Sequence, residues 1–186
     1  WQNTQPRVQP AVAMENARLF ADAQQRAAEL DTVNTVSQQL AGKLDLDALI
    51  EMVGEKVREL FKADIAYVAL LDRQAGMINF PYQYGEESKP LAFGQGPTSR
   101  ILQTGKPLVI NEDTFRKTEE LGARIRGKRA KSYLGVPIFV DGEAQGVISV
   151  QSTEKERVYR EADERLLSTI AANVGVALGN ARLFNE

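Results

Sequence analysis

The sequence predicts an α+β fold: a central antiparallel β-sheet built from hairpins, entered and left through long helices. Three observations carry that reading. Ser132 to Ser152, SYLGVPIFVDGEAQGVISVQS, is a pair of strand-like runs joined at Asp141-Gly142. Residues 64–84 hold a second such pair. Residues 11–40 and 159–186 keep apolar side chains at helical spacing.

Trp1 to Pro10 is polar, carries two prolines and reads as a linker or tag remnant. From Ala11 the pattern is helical. Leu19, Ala23, Arg26, Leu30, Val33, Ser37 and Leu40 step alternately by four and three, a heptad seam that Arg26 and Ser37 weaken. Such a stripe suits a helix packed on its own domain or a parallel coiled coil with a second subunit. Gly42 interrupts it, and Asp45 is placed to cap a second helix, Leu46 to Phe61, with Leu49, Val53, Val57 and Leu60 on its apolar face.

Asp64 to Leu71 is a buried-strand pattern, and Met77 to Tyr84 follows after a turn. Pro81 in the second run predicts an edge or a bulge, because proline has no N–H to give the ladder. Gly85 to Gly96 reads as loop. Thr98 is placed to cap a short helix, Ser99 to Gln103, which Gly105-Lys106-Pro107 stops. That helix start after a glycine-rich turn is either a plain tight turn or an anion seat. It lacks the Lys-Ser/Thr of a phosphate loop. Leu108 to Ile110 is a short strand. Asn111 to Lys131 is polar and ends in Arg124, Arg126, Lys128, Arg129 and Lys131, a solvated face or a lid with anion-binding charge.

The hairpin Ser132 to Ser152 is the centre of the sheet. Asp-Gly suits a turn whose two central residues both need positive φ. With Val140 opposite Glu143, Leu134, Val136 and Ile138 share a face with Val147, Ser149 and Gln151. Tyr133, Phe139, Ile148 and Val150 then share the other. Both faces are apolar enough to require cover. Pro137 marks an irregular spot. The last helix, Tyr159 to Glu186, opens with Glu161, Asp163 and Glu164 at its positive end and carries the stripe Leu167, Ile170, Val174, Ala177, Ala181, Phe184.

An internal repeat links the two long helices. Val176 to Phe184 (VALGNARLF) and Val12 to Phe20 (VAMENARLF) agree at seven of nine positions. The first helix therefore reads as the exit helix of a preceding, similar domain. The organisation expected is a linker over 1–10, a signalling helix over 11–42 and one folded domain over 43–186.

Composition narrows the function. The 186 residues carry a formal net charge of -2 and no His or Cys. That excludes disulfides, thiolate metal sites, His-ligated haem, Cys nucleophiles and His general bases. The charge balance argues against a nucleic-acid partner. No apolar run reaches membrane-spanning length. Absence of Cys fits a cytoplasmic protein.

Three segments, FGQGPTSRILQTGKPLVIN, SYLGVPIFVDGEAQGVISVQS and YREADERLLSTIAANVGVALGNARLF, resemble in order and spacing the signature segments of a GAF domain, over about residues 31–186. The resemblance implies a GAF-like (profilin/PAS-like) fold. Its antiparallel sheet of six or so strands has a helical bundle on one face and a pocket on the other. It also implies a sensory module, often dimeric through its flanking helices, that regulates a kinase, cyclase, phosphodiesterase or transcription-factor output. Tyr159, Asp163 and Glu164 match the second half of the cyclic-nucleotide motif of such domains. Gln151 and Ser152 stand where Asn-Lys belongs. The Cys of bilin-binding and sulfoxide-reducing relatives and the His of haem-binding ones are absent, so no covalent bilin or haem is expected.

The ligand residues expected are Phe93 and Thr98 near the loop, Asn111 and Thr114 at the lid, and Val136, Ser149 and Gln151 on the floor. The homodimer expected runs through the helices Leu19–Leu40 and Leu167–Phe184, with an output domain or a further GAF unit beyond. The rival reading is a ligand-free spacer and dimeriser. Enzyme chemistry survives only through carboxylates such as Asp113 with Glu112 or Glu119.

Overall fold

The computed structural model describes residues 10–41, 46–124 and 127–184. Most of the linker over 1–10, the break at Gly42, the Asp45 cap and Arg126 lie outside the described residues, as do the side chains of Ser37, Leu40 and Phe184. The chain divides into two compact units that meet at Thr35–Val36.

The described part of the first unit, residues 10–35, lies within helix α1 (Pro10–Ala41). Its apolar side chains Val12, Met14, Leu19, Phe20 and Leu30 are exposed.

The second unit holds α2 (Leu46–Phe61), β1 (Ile65–Asp72), β2 (Met77–Tyr84), β3 (Leu91–Ala92), α3 (Pro97–Thr104), β4 (Leu108–Ile110), α4 (Thr114–Glu120), β5 (Ser132–Val140), β6 (Glu143–Ser152) and α5 (Glu161–Phe184). The six strands form one antiparallel sheet in the order β3-β2-β1-β6-β5-β4. The β1–β2 and β5–β6 hairpins are therefore stitched together through β1 and β6 at the centre. The β5–β6 turn has both central residues at positive φ, Asp141 at 52° and Gly142 at 79°, as Asp-Gly predicts. Pro81 lies in a bulge where the β1–β2 register shifts, and it is beyond the two residues that β3 pairs.

One sequence expectation fails here. The β5–β6 register starts at Val140↔Glu143 but shifts between Ile138 and Phe139, so Val136 pairs with Ile148 and Gly135 with Ser149. Gln145 is the extra residue. A one-residue slip turns every later side chain over. Leu134, Val136 and Ile138 thus share a face with Ile148 and Val150, not with Val147, Ser149 and Gln151.

The two faces are covered differently. Val68, Leu134, Val136, Ile138, Ile148 and Val150 pack against α2 and α5, through Leu49, Ile50, Val53 and Val57 of α2 and Leu167, Ile170, Ala171, Val174 and Leu178 of α5. Hence the Leu167, Ile170 and Val174 part of the seam read as a dimer contact is buried in the domain's own core. The reason is that a twisted apolar sheet needs cover before a helix can offer its stripe elsewhere. On the opposite face Ala69, Ile78, Tyr133 and Val147 pack beneath α3 through Ile101 and Leu102.

The segment read as loop holds the short strand β3, and the polar segment read as a solvated face or lid holds helix α4. Helix α3 starts earlier than expected. Gly96 (φ 93°) is its N-cap and Pro97 its first residue, so Thr98 lies inside the helix and does not cap it. It ends at Gly105 (φ 63°), whose N–H bonds to Ile101 O at 2.8 Å.

Candidate functional site

The face beneath α3 carries a cluster of buried hydroxyls. Tyr67, Ser149 and Gly135 lie side by side across β1, β6 and β5. Gly135 has no side chain, and the ring of Tyr133 lies over it. A β-carbon there would fall 2.7 Å from Tyr133 Oη and against Ile101 Cδ1. The Tyr67 hydroxyl is 2.7 Å from Tyr133 Oη and 2.7 Å from Thr98 Oγ1, and with one proton it donates to at most one of them and accepts from at least one. Phe80 meets the Tyr67 ring edge-on, with centroids 5.3 Å apart.

Ser149 is fully buried. Its oxygen is near both phenols yet meets hydrogen-bond geometry with neither. Among the described residues it is the buried side-chain polar atom left without a partner. Burying an unpaired hydroxyl costs about 1–3 kcal/mol.

Burial raises the Tyr67 phenol above its ordinary range, and the neighbouring Thr98, Tyr133 and Ser149 hydroxyls offset part of this. Tyr133 is raised further, by burial first and then by the neighbouring Tyr67. Both stay protonated at neutral pH. The cluster is four neutral hydroxyls, able to donate and accept hydrogen bonds but without a base to activate Ser149. Two of the three carboxylates considered for chemistry are engaged elsewhere: Glu112 with Arg157 at 2.8 Å and Asp113 with Arg116 at 3.3 Å.

Of the seven residues read as ligand-binding, the structure brings together two, Thr98 and Ser149. Val136 is on the other side of the sheet, wholly buried against the helices. Gln151 is half-buried at the end of β6, and its carbonyl accepts the Asp64 N–H at 3.1 Å. Phe93 is partly exposed and its N–H bonds to Gly76 O at 2.9 Å. The Asn111 amide is held by the Tyr159 backbone, Nδ2 donating to O at 2.7 Å and Oδ1 accepting from N at 3.2 Å. Thr114 Oγ1 donates to Lys131 O at 2.9 Å. Tyr67 and Tyr133 were missed. Gly146 in the strand was the available sign, since a strand glycine often marks a bulge, and a bulge there turns Tyr133 toward Ser149.

Comparison with known proteins fits this geometry. A family model described as GAF domain matches residues 43–179. The chain belongs to the GAF domain family. Among curated proteins, the formate hydrogenlyase transcriptional activator of Salmonella typhimurium is 24% identical over 162 residues, 81% of this chain and 23% of that protein. The chain thus spans about a quarter of that relative's length. Two solved structures share the fold. The GAF domain of an Acinetobacter phosphoenolpyruvate-protein phosphotransferase superposes with a TM-score of 0.72 at 20% identity, covering 84% of this chain and 95% of that one. A free methionine-R-sulfoxide reductase from Neisseria meningitidis, solved with its substrate, gives 0.73 at 17% identity, covering 86% and 93%. The curated relative is thus a transcriptional activator, and the proteins that share the fold include an enzyme.

Proposed function

We propose that this GAF domain is a non-catalytic sensory module that takes a small molecule into the hydroxyl cluster beneath α3 and passes its occupancy to the flanking helices of a homodimer. The observation that carries the reading is the orphaned, fully buried Ser149 hydroxyl beside two phenols and a threonine. The ligand is held by neutral hydrogen bonds, which Tyr67 and Tyr133 supply once they rearrange. Formation of a dimer through α1 is supported by its exposed Leu19 and Leu30 on one heptad stripe. The internal repeat supports a similar domain upstream. Leu178 is buried here, whereas its counterpart Met14 is 75% exposed and free to enter another domain's core. The 23% coverage of a transcriptional activator fits a module that works beside an output domain, in the cytoplasm.

A ligand-free spacer is the second reading. The closed chain Thr98–Tyr67–Tyr133 favours it, because the protein already fills much of the site with its own side chains. A thermal-shift screen of nucleotides, amino acids and neutral aromatic and aliphatic compounds separates the two. A true ligand at roughly a hundredfold its dissociation constant stabilises by about 2–3 kcal/mol, and Ser149→Ala abolishes that shift. A screen with no stabilising compound favours the spacer.

A further inference from the structure

The connector from β6 to α5, residues 153–160, is held by side chains from three other strand ends. Asp64, just before β1, accepts from Thr153 N at 2.8 Å and Thr153 Oγ1 at 3.2 Å. Ser132, the first residue of β5, donates to Lys155 O at 2.8 Å and accepts from Val158 N at 3.3 Å. Asn111, immediately after β4, clasps both backbone groups of Tyr159, while its own carbonyl accepts Arg157 N–H at 2.8 Å. Glu112 then pairs with the Arg157 side chain. Tyr159 is buried against Leu167 and its neighbours, so whatever fixes Tyr159 fixes the start of α5.

The same residues border α4. Asn111 lies two residues before its N-cap, Asp113 (φ 50°). Thr114, its first residue, bonds to Lys131 O, and Lys131 N bonds to Ser152 O at 2.7 Å. The far end of α4 reaches α3, because Gly96 N donates to Leu121 O at 2.7 Å. Helix α3 carries Thr98, and Ser132 is followed by Tyr133, two members of the hydroxyl cluster.

From this we infer that Asn111 and Ser132 form a transmission joint. They couple the α3–α4 side of the domain to the start of α5, and they act as positioning residues for the exit helix. Asn111 is the hinge pin: a side-chain amide imitating a backbone pair, at the one point where β4, α4 and the α5 connector meet. The inference rests on the sensory reading in taking α5 as the output element. The coupling itself is a property of this chain with or without ligand.

The test is a double-mutant cycle on the whole chain read by hydrogen exchange, with no ligand needed. Thr114→Val cuts the α4 anchor without touching the connector. In the otherwise native protein it is expected to raise exchange several-fold at residues 158–167, with the amides of β1 and β6 unchanged. In the Asn111→Leu background, where the joint is already open, the same change adds nothing at 158–167. Asn111→Asp, which keeps the acceptor and the shape, serves where Leu impairs folding. It is expected to retain part of the coupling. Additive effects in both backgrounds, or no effect of Thr114→Val on 158–167, would overturn the joint. Either result would leave the ligand site untouched, and a failed ligand screen would leave the joint untouched.

Discussion

At the scale of residues, Ser149 and the two tyrosines make opposite predictions. Removing the orphan hydroxyl, Ser149→Ala, should leave the ligand-free protein as stable or more stable by up to about 1 kcal/mol, because no bond is lost and a desolvated polar atom disappears. Removing Tyr67 Oη, Tyr67→Phe, strands Thr98 and Tyr133 together and should cost about 1–3 kcal/mol. Urea unfolding measures both; a clear loss with Ser149→Ala would mean that its oxygen already has a partner. The phenols also set the response to alkali. Burial holds Tyr67, Tyr133 and Tyr82 above their ordinary range, Tyr82 up to about 12, with Glu55 adding to the shift. A group whose folded pKa is raised contributes stability that is whole below its unfolded value, near 10, and is lost as pH climbs toward the folded value. Unfolding followed by tyrosinate absorbance should therefore set in cooperatively above about pH 10. Gradual, independent titration of Tyr67, Tyr82 and Tyr133 would contradict the burial.

Among the elements, close backbone approaches decide the packing. At Gly175 of α5 a β-carbon would be driven into the Phe139 carbonyl oxygen, and at Gly54 of α2 into the Tyr82 ring. Gly175→Ala must push α5 off β5, since a carbonyl in a strand cannot turn aside. About 1–3 kcal/mol of lost stability is expected, with the largest gain in exchange along α5. A silent Gly175→Ala would place α5 further from the sheet than described. Apart from β3, α4 and the start of α3, element positions were legible in the sequence because each signal was local: Asp141-Gly142 for the turn, Pro81 for the bulge, Gly105 for the end of α3. The faces were not, because one extra residue at Gln145 leaves the apolar pattern intact while turning the β5–β6 pairing over. The candidate site was legible only at Thr98 and Ser149 for the same reason. The hydrogen bonds of Asn111 and Thr114 join residues 48 and 17 positions apart, which no local pattern reports.

At the scale of the whole molecule, the sheet is covered by α2 and α5 on one face and by α3 on the other, and α1 precedes this unit in the chain. Leu19 and Leu30, the exposed part of the α1 stripe, predict association, while Val33 on the same stripe is buried. Sedimentation of this chain should give a dimer at tens of micromolar, and Leu19→Glu with Leu30→Glu should give a monomer. A monomer in both cases would remove the dimer from the account. The central claim is that the cluster beneath α3 receives a small molecule. A crystal structure of the protein as purified from cells tests it most directly. Density larger than a water is expected within hydrogen-bond reach of Ser149 Oγ, with Tyr67 or Tyr133 moved to admit it. A Ser149 hydroxyl closed over by the two unmoved phenols, with every screened compound excluded, would contradict it.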